Sequence, residues 1–287
     1  MNIICFLTLR PSKLFYQFCK KLINTEYDVY ICIDDNSYNI PDCDDTIKII
    51  KIDNNECIQA GFKSSVLYFQ NQACSRDKAL YYFCKNDIDY NYIWFIEEDV
   101  FLPTPNIISN LDNKYHSGDL LCREHRKISL DNHKSTKTVV YTNRMISKFV
   151  NNTQSMPFAN LVAKINLGQT HYTVGMISAI RMSKTLMNII KNFAAEYNTL
   201  FIDEALFTTL SYKNNLNVVT PNEFNTILFN KHWNKSDINI NNLYHPIKNT
   251  ITQYEYRNNK IPIQQNTPQQ IIIKPPQMTK KVLYYKK

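Results

Sequence analysis

The sequence has few glycines for its length, four among 287 residues. They stand at Gly61, Gly118, Gly168 and Gly175, too far apart for a dinucleotide-binding fingerprint or a phosphate-binding Walker loop. The glycine-rich opening of a sugar-phosphate nucleotidyltransferase is missing for the same reason, which argues against that class. If the protein binds a nucleotide, we expect side chains and a metal ion to hold the phosphates.

Long apolar stretches and cysteine pairs are missing too. No apolar run approaches the roughly 20 residues that span a bilayer, and the opening MNIICFLTLR lacks the basic region of a signal peptide. We therefore expect a cytoplasmic protein. The eight cysteines include no CxxC pair, which argues against a zinc site or a disulfide framework.

Positive charge is concentrated at the C-terminus. Residues 246–287 hold eight of the 33 Lys and Arg residues but one of the 25 acidic residues, so the rest of the chain is nearly neutral. Nucleic-acid-binding proteins spread basic residues over the folded body, and we expect no nucleic-acid partner. Residues 251–287, rich in proline and glutamine, are predicted to form an extended tail. Such a tail could contact an anionic membrane surface, and the alternative is a solubility tail.

Strands and helices alternate through the first hundred residues, which predicts a doubly wound α/β sheet with flanking helices. A strand-rich segment from His171 and two further helices, the first capped by Ser183, extend it. Active sites in such sheets lie at the carboxyl ends of the strands. The predicted strands span 2–9, 28–36, 47–52 and 92–102, and the predicted helices of this half begin after Ser12 and at Ser75 as an N-cap.

Three consecutive carboxylates, Glu97, Glu98 and Asp99, follow the apolar segment YIWFI. Adjacent carboxylates repel one another unless a cation is present, and Mg²⁺ or Mn²⁺ bound by one or two of them together with diphosphate oxygens is the usual arrangement. A solvated turn at the end of a strand is the alternative. The motif indicates a metal site.

Acidic and amide side chains also close the second strand, at Asp34, Asp35 and Asn36. A carboxylate there can accept a hydrogen bond from a ribose hydroxyl or a base N–H. The alternative is a turn in which Asp and Asn bind their own backbone.

Two cations, Arg76 and Lys78, lie in the first turn of a predicted helix, where they oppose the helix dipole. A phosphate or a neighbouring carboxylate that binds Arg76 would explain their position. The alternative is a surface charge cluster paired with Asp77.

Asp203 and Glu204 follow an apolar segment and open another predicted helix. Asp203 is expected to cap this helix. The dipole would keep Glu204 ionised in the first turn, as a general base must be. Capping without catalysis is the alternative for both residues.

His245 and Lys248 lie in the loop sequence YHPIK. A neutral imidazole can bind Mn²⁺, and a nearby ammonium can neutralise phosphate charge. A lone histidine on a loop is the alternative.

The order of these motifs over about residues 1–250 resembles that of the GT-A glycosyltransferases. The resemblance implies a GT-A-like mixed sheet and a nucleotide-diphosphate sugar as donor. It implies that Asp35 contacts the nucleotide and that Arg76 and Lys78, in the basic helix SRDKALYYF, lie near the donor. Lys248 would offset charge on the leaving diphosphate.

The same resemblance places WFIEEDVF where the family has its DxD motif. It implies Asp99 as the first ligand of Mn²⁺ or Mg²⁺, with Glu97 and His245 as further ligands. The sequence here is Glu-Glu-Asp and not Asp-x-Asp, and this departure weakens the expectation that a metal is required.

The segment IDEALFTTLSYKNNL is similar to the DE-containing helix of the branching N-acetylglucosaminyl and xylosyl transferases, whose glutamate acts as base. This similarity implies Glu204, with Asp203 beside it, as the catalytic pair of an inverting enzyme. The branching enzymes work without metal.

The sequence therefore predicts a glycosyltransferase of the hexosyl or N-acetylhexosaminyl class, with a UDP-sugar as the favoured donor. We expect residues 1–105 to bind the donor, 106–250 to bind a glycan, protein or small-molecule acceptor, and 251–287 to form the tail. The alternatives are a catalytically inactive GT-A-like protein, a basic protein that binds nucleic acid or anions, and, less favoured, a sugar-phosphate nucleotidyltransferase.

Overall fold

The computed structural model describes residues 1–24, 26–40, 44–63, 65, 72–128, 172–200 and 203–258. A mixed sheet of seven strands forms the centre of this part of the chain, with helices on both faces. The strands are β1 (Asn2–Thr8), β2 (Tyr27–Ile33), β3 (Lys48–Ile50), β4 (Tyr92–Glu97), β5 (Leu120–Ile128), β6 (Tyr172–Ser183) and β7 (Val218–Val219). The helices are α1 (Lys13–Lys20), α2 (Asn54–Gln59), α3 (Ser75–Lys85), α4 (Ile107–Lys114), α5 (Lys184–Tyr197), α6 (Asp203–Lys213) and α7 (Thr250–Asn258), with two 3₁₀ turns at Asn222–Phe224 and Lys235–Asp237.

The strand order is β3-β2-β1-β4-β6-β5-β7. The four strands of the first hundred residues are parallel to one another, as predicted. β6 pairs antiparallel with both β4 and β5, and this makes the sheet mixed. The predicted α/β fold with a mixed sheet and flanking helices is thus confirmed.

Two hydrophobic cores cover the two faces of the sheet. Successive side chains of β1 alternate between them, so that Ile3 and Cys5 pack on one face with α3 and α5, and Ile4 and Phe6 on the other with α1 and α4. Strands buried on both faces need continuous apolar runs, and this is why the sequence of β1 shows no polar alternation.

Serine caps begin two of the helices as predicted. The hydroxyl of Ser12 accepts the backbone N–H of Phe15, and that of Ser183 accepts the backbone N–H of Leu186. The predicted cap at Ser75 is wrong by one residue, because the N-cap is Cys74 and Ser75 is already helical.

The parallel strands bring their carboxyl ends to one edge of the sheet. Thr8 at the end of β1 pairs with Ile33 at the end of β2, and Leu7 pairs with Glu97 at the end of β4. β4 is shorter than the predicted strand 92–102, because the chain turns at residues 98–99. β2 and β4 are separated by one strand and thus by about 10 Å, so the acidic turns that follow them lie near one another at the same edge of the sheet.

The C-terminal part of the described chain returns to this edge. Phe101 and Tyr244 exchange both backbone hydrogen bonds (2.8 and 3.1 Å), and the N–H of Ile247 donates to the carbonyl of Asp99 (2.8 Å). Residues 250–258 form α7, whose buried Gln253 donates to the carbonyl of Glu98 (2.9 Å), so the prediction of an extended tail from residue 251 is wrong at its start. The rest of the predicted tail, 259–287, lies outside the described residues. In the ranges described, no helix has both the length and the apolar character needed to cross a bilayer.

Candidate metal and catalytic site

The three residues predicted to bind a metal ion come together at the carboxyl edge. Glu97 ends β4, Asp99 lies in the turn that follows, and His245 comes from the C-terminal loop. One potential ligand atom from each residue lies within 4.8 Å of the other two. The Nε2 atom of His245 is 3.4 Å from Asp99 Oδ1 and 3.9 Å from Glu97 Oε2.

Backbone contacts orient the imidazole of His245. Its Nδ1 is 2.8 Å from the carbonyl oxygen of Leu228. Donation to that carbonyl leaves Nε2 directed at the two carboxylates. Burial acts to lower the pKa of His245, but the hydrogen bond and charge of Asp99 outweigh it and raise the pKa. A bound cation would replace the proton on Nε2, since a metal ligand must be deprotonated.

The donor set and its spacing fit Mn²⁺ or Mg²⁺. Two carboxylates suit both ions, and an imidazole nitrogen completes a mixed set that divalent transition metals accept. Ligand atoms about 2.1 Å from an octahedral ion lie about 3.0 Å apart when adjacent and about 4.2 Å apart when opposite. The separations of 3.4 and 3.9 Å fall between these values. Small side-chain movements would therefore let all three residues bind one ion.

Arg76 connects this cluster to α6. Its side chain is buried, with the Nη2 atom 2.7 Å from Glu97 Oε1 and the Nε atom 2.9 Å from Asp203 Oδ2. Lys78 is also buried, whereas Asp77 accepts backbone hydrogen bonds from Ser65 and Cys74. The alternative interpretation, in which Arg76 and Lys78 form a surface charge cluster with Asp77, is therefore wrong.

Asp203 is the first residue of α6 and is buried. Its Oδ1 accepts the N–H of the next residue, Glu204 (2.8 Å), and its Oδ2 binds Arg76. The sequence predicts Asp203 as the cap of α6, but Asp203 is already the first helical residue, and its carboxylate also forms the ion pair with Arg76. Burial raises the pKa of Asp203, and the charge of Arg76 opposes the rise.

Glu204 presents a carboxylate oxygen with unused hydrogen-bonding capacity. Its Oε2 is buried and has no hydrogen-bond partner among the described residues. Burial raises the pKa of Glu204 to about 7; Arg76 opposes this shift and Glu97 adds to it. The expectation that the helix dipole keeps Glu204 ionised at neutral pH is therefore wrong, because burial outweighs it. A buried polar atom without a partner costs about 1–3 kcal/mol. A ligand hydroxyl that donated to Oε2 would remove this penalty.

The predicted nucleotide-side residue, Asp35, lies in the turn after β2. Its Oδ1 accepts from the N–H and hydroxyl of Ser37 (2.9 and 2.6 Å), which is the turn arrangement weighed as the alternative. Its Oδ2 is 2.6 Å from the exposed Arg10. The hydrogen bonds from Ser37 and Arg10 lower the pKa of Asp35 to about 2, so it is ionised at neutral pH.

Lys78, on α3, binds the same turn with its buried ammonium group. Its ammonium donates to the carbonyl of Asp34 (2.6 Å) and to Asn36 Oδ1 (3.3 Å). Lys78 thus binds the turn after β2, whereas Arg76 binds Glu97 at the end of β4. The contacts with the β2 turn satisfy the ammonium of Lys78 although the side chain is fully buried.

Lys248 is exposed, three residues after His245 on the same loop.

Several residues of the site gave no signal in the sequence. Arg10 pairs with Asp35, Trp233 donates to the carbonyl of His245 (3.0 Å), and Gln253 binds the Glu98 turn. These residues act through contacts distant in sequence, and only the exposed charge of Arg10 next to a strand end could have indicated one of them.

The sequence matches no protein-family model and no curated protein. Among solved structures, it is similar to the galactosyltransferase LgtC in complex with donor and acceptor sugar analogues, with 11% identity over 78% of this chain and 74% of that chain and a TM-score of 0.40. An active-site mutant of LgtC gives 12% identity with the same coverage and a TM-score of 0.40. The apo form of mouse xyloside xylosyltransferase 1 gives 8% identity over 80% and 89% of the two chains, with a TM-score of 0.37. Similarity this weak does not establish a shared function.

Proposed function

We propose that the protein is a glycosyltransferase that moves a sugar from a nucleotide-diphosphate donor to an acceptor hydroxyl, with Mn²⁺ or Mg²⁺ bound by Glu97, Asp99 and His245. A UDP-sugar is the first donor to test. The observation that carries this proposal is that the three side chains converge at the carboxyl edge beside Glu204. The order of the motifs, which resembles that of GT-A enzymes, agrees with it.

The donor would lie in the crevice between the β2 and β4 turns, where ligands of such sheets bind. Asp35 is ionised in the β2 turn, and a ribose hydroxyl or a base N–H would bind it in place of Ser37 or Arg10, which occupy its two oxygens. Lys248 is exposed on the loop of His245 and can approach the diphosphate. A bound divalent cation would supply positive charge to the departing diphosphate, which is the electrostatic part of such catalysis.

Glu204 is the proposed general base. The proton of the acceptor hydroxyl passes to the Glu204 carboxylate while the acceptor oxygen forms a bond to the anomeric carbon. The bond from that carbon to the diphosphate breaks, and its electron pair leaves with the diphosphate. A single displacement of this kind inverts the anomeric configuration. The unpartnered Oε2 atom is the acceptor for this proton.

Binding can be tested before any acceptor is known. We expect UDP and Mn²⁺ together to raise the melting temperature, because ligand at 100 times its Kd stabilises a protein by about 2.7 kcal/mol. EDTA should remove the effect, and Asp99→Asn should abolish both the Mn²⁺ effect and the release of UDP from UDP-sugars. Asp89→Asn, which changes an exposed carboxylate just before β4, is the matched control and should behave as wild type. Wild-type binding of UDP that is indifferent to EDTA, or an Mn²⁺ effect that survives in Asp99→Asn, would contradict the metal assignment.

A further inference from the structure

Arg76 contacts groups on three other elements of the fold. Its Nε binds Asp203 on α6, its Nη2 binds Glu97 on β4, and its Nη1 donates to the carbonyl of Ile177 on β6 (3.1 Å). The residue is 3% exposed. All three nitrogens thus hold protein groups, and the side chain is almost entirely withdrawn from solvent, which leaves little access for a phosphate.

The two oxygens of Glu97 are used differently. Oε1 accepts from Arg76, and Oε2 is the atom that lies 3.9 Å from His245 Nε2. Because the guanidinium is planar and fixed by its other two contacts, it sets the plane of the Glu97 carboxylate. The Glu97 side chain is partly exposed. If its hydrogen bond to Arg76 were lost, the carboxylate would be free to rotate towards solvent.

We propose that Arg76 is a positioning residue: it holds Glu97 in the orientation of a metal ligand, holds the start of α6 through Asp203, and does not bind the donor itself. This inference rests on the proposed metal site. It replaces the direct donor contact expected from the sequence with an indirect role. Hydrogen-bond partners of metal ligands typically contribute 10- to 100-fold to metal affinity.

A buried arginine paired with an aspartate can also be purely structural, and the protein supplies its own control. Arg181 is fully buried and binds Asp112 at 2.7 Å, at the opposite end of the sheet. If removing any buried pair weakened metal binding by loosening the fold, removal of Arg181 and Asp112 would do so too.

The experiment measures the Kd of Mn²⁺ by titration with electron paramagnetic resonance of the free ion, on the full chain without substrate. Arg76→Met with Asp203→Asn removes both buried charges and should weaken Mn²⁺ binding 10- to 100-fold. Arg181→Met with Asp112→Asn should leave the Kd unchanged. Asp203→Asn alone, which keeps the Arg76–Glu97 bond, should also leave it near the wild-type value. Circular dichroism establishes that each variant is folded.

Each outcome either supports or overturns the positioning role of Arg76. Equal Kd values for wild type and the Arg76 double variant would overturn the positioning role, as would an equal weakening in both double variants. If the Arg76 double variant does not fold, Arg76→Lys decides, because lysine keeps the charge but loses the planar fork. Weaker binding by Arg76→Lys supports the role and an unchanged Kd overturns it. Absence of Mn²⁺ binding by wild type would instead refute the proposed metal site, and the inference with it.

Discussion

Each end of the central sheet holds a buried arginine paired with a buried aspartate, and the surroundings of the two pairs differ. At the amino end, Arg181 pairs with Asp112. At the carboxyl end, Arg76 pairs with Asp203. Both pairs join elements that are far apart in sequence, so burial and ion pairing alone do not separate a structural cluster from a functional one.

The cluster at the amino end has its charges balanced. Asp112 accepts from Tyr27 (2.5 Å), Asn2 (3.2 Å) and the indole of Trp94 (3.1 Å) in addition to Arg181. The Nη2 atom of Arg181 donates to two backbone carbonyls. One anion faces one cation, and both oxygens of the aspartate are used, although the Nε atom of Arg181 is buried without a partner among the described residues. Such an arrangement needs no ligand, although a cleft of about 380 Å³ adjoins it.

The cluster at the carboxyl end has more acidic than basic groups. Four carboxyl groups, those of Glu97, Asp99, Asp203 and Glu204, lie around the guanidinium of Arg76 and the imidazole of His245. One of their oxygens has no partner among the described residues. Both ends hold a buried polar atom without a partner in the described part of the chain, so the two ends differ in charge balance, and under the proposed function the excess of carboxylates marks the end at which a cation would bind.

The largest effect expected at the carboxyl end is on turnover. Glu204→Gln should lower turnover by about 10²- to 10⁴-fold, the usual contribution of a positioned general base. Donor binding should stay nearly intact, because the base contacts the acceptor and not the diphosphate. Kinetic assays of sugar transfer, with donor affinity measured in parallel, check both parts.

Asp203→Asn is the matched variant for that test. It keeps the shape of the side chain but weakens the ion pair with Arg76, so its main effect should be on stability. Loss of turnover in Asp203→Asn with activity retained in Glu204→Gln would exchange the two roles. Full activity in both variants would mean that neither residue is the base.

The amino end should respond to mutation in stability alone. Asp112→Ala leaves Arg181 buried without its counter-ion, and breaking a buried pair in this way costs about 3–5 kcal/mol. Urea unfolding should show this loss, while the Mn²⁺ affinity of the folded protein should not change. Asp99→Ala should weaken Mn²⁺ binding without a comparable loss of stability, because it removes one carboxylate from a cluster that has more acidic than basic groups. A loss below about 1 kcal/mol in Asp112→Ala would show that the amino-end pair is not a structural centre.

Local patterns in the sequence predicted much of the fold. Continuous apolar runs indicated the strands, serines at 12 and 183 indicated two helix starts, and parallel strands implied that the acidic turns share an edge. The position of β6 between β4 and β5 could not be predicted, because strand order is set by pairing between distant segments. The end of β4 was misjudged for a related reason: Phe101 continues in extended form, but pairs with Tyr244 outside the sheet.

The site was predictable in its residue types but not in its connections. Cations that oppose a helix dipole indicated that Arg76 and Lys78 need partners, but the sequence did not reveal that Asp203 binds Arg76 or that the Asp34 turn binds Lys78. Arg181 was a missed signal. An arginine within the apolar run VGMISAIRMS implies a buried acidic partner, and Asp112 is that partner.

The smallest expected effect concerns the pH dependence of stability at the carboxyl end. Burial raises the pKa of Glu204 from the ordinary 4.5 to about 7. The folded protein therefore binds this proton more tightly than the unfolded chain does, and the stability that this contributes is complete below about pH 4.5 and is lost as the pH rises through 7. Glu204→Gln cannot ionise, so it should match the pH profile of wild type near pH 5 but become more stable than wild type by roughly 2–3 kcal/mol at pH 8. Urea unfolding of both proteins in EDTA between pH 5 and 8 measures this difference. A difference that stays constant over this range would show that Glu204 is ionised throughout, and the buried environment inferred for the base would then be wrong.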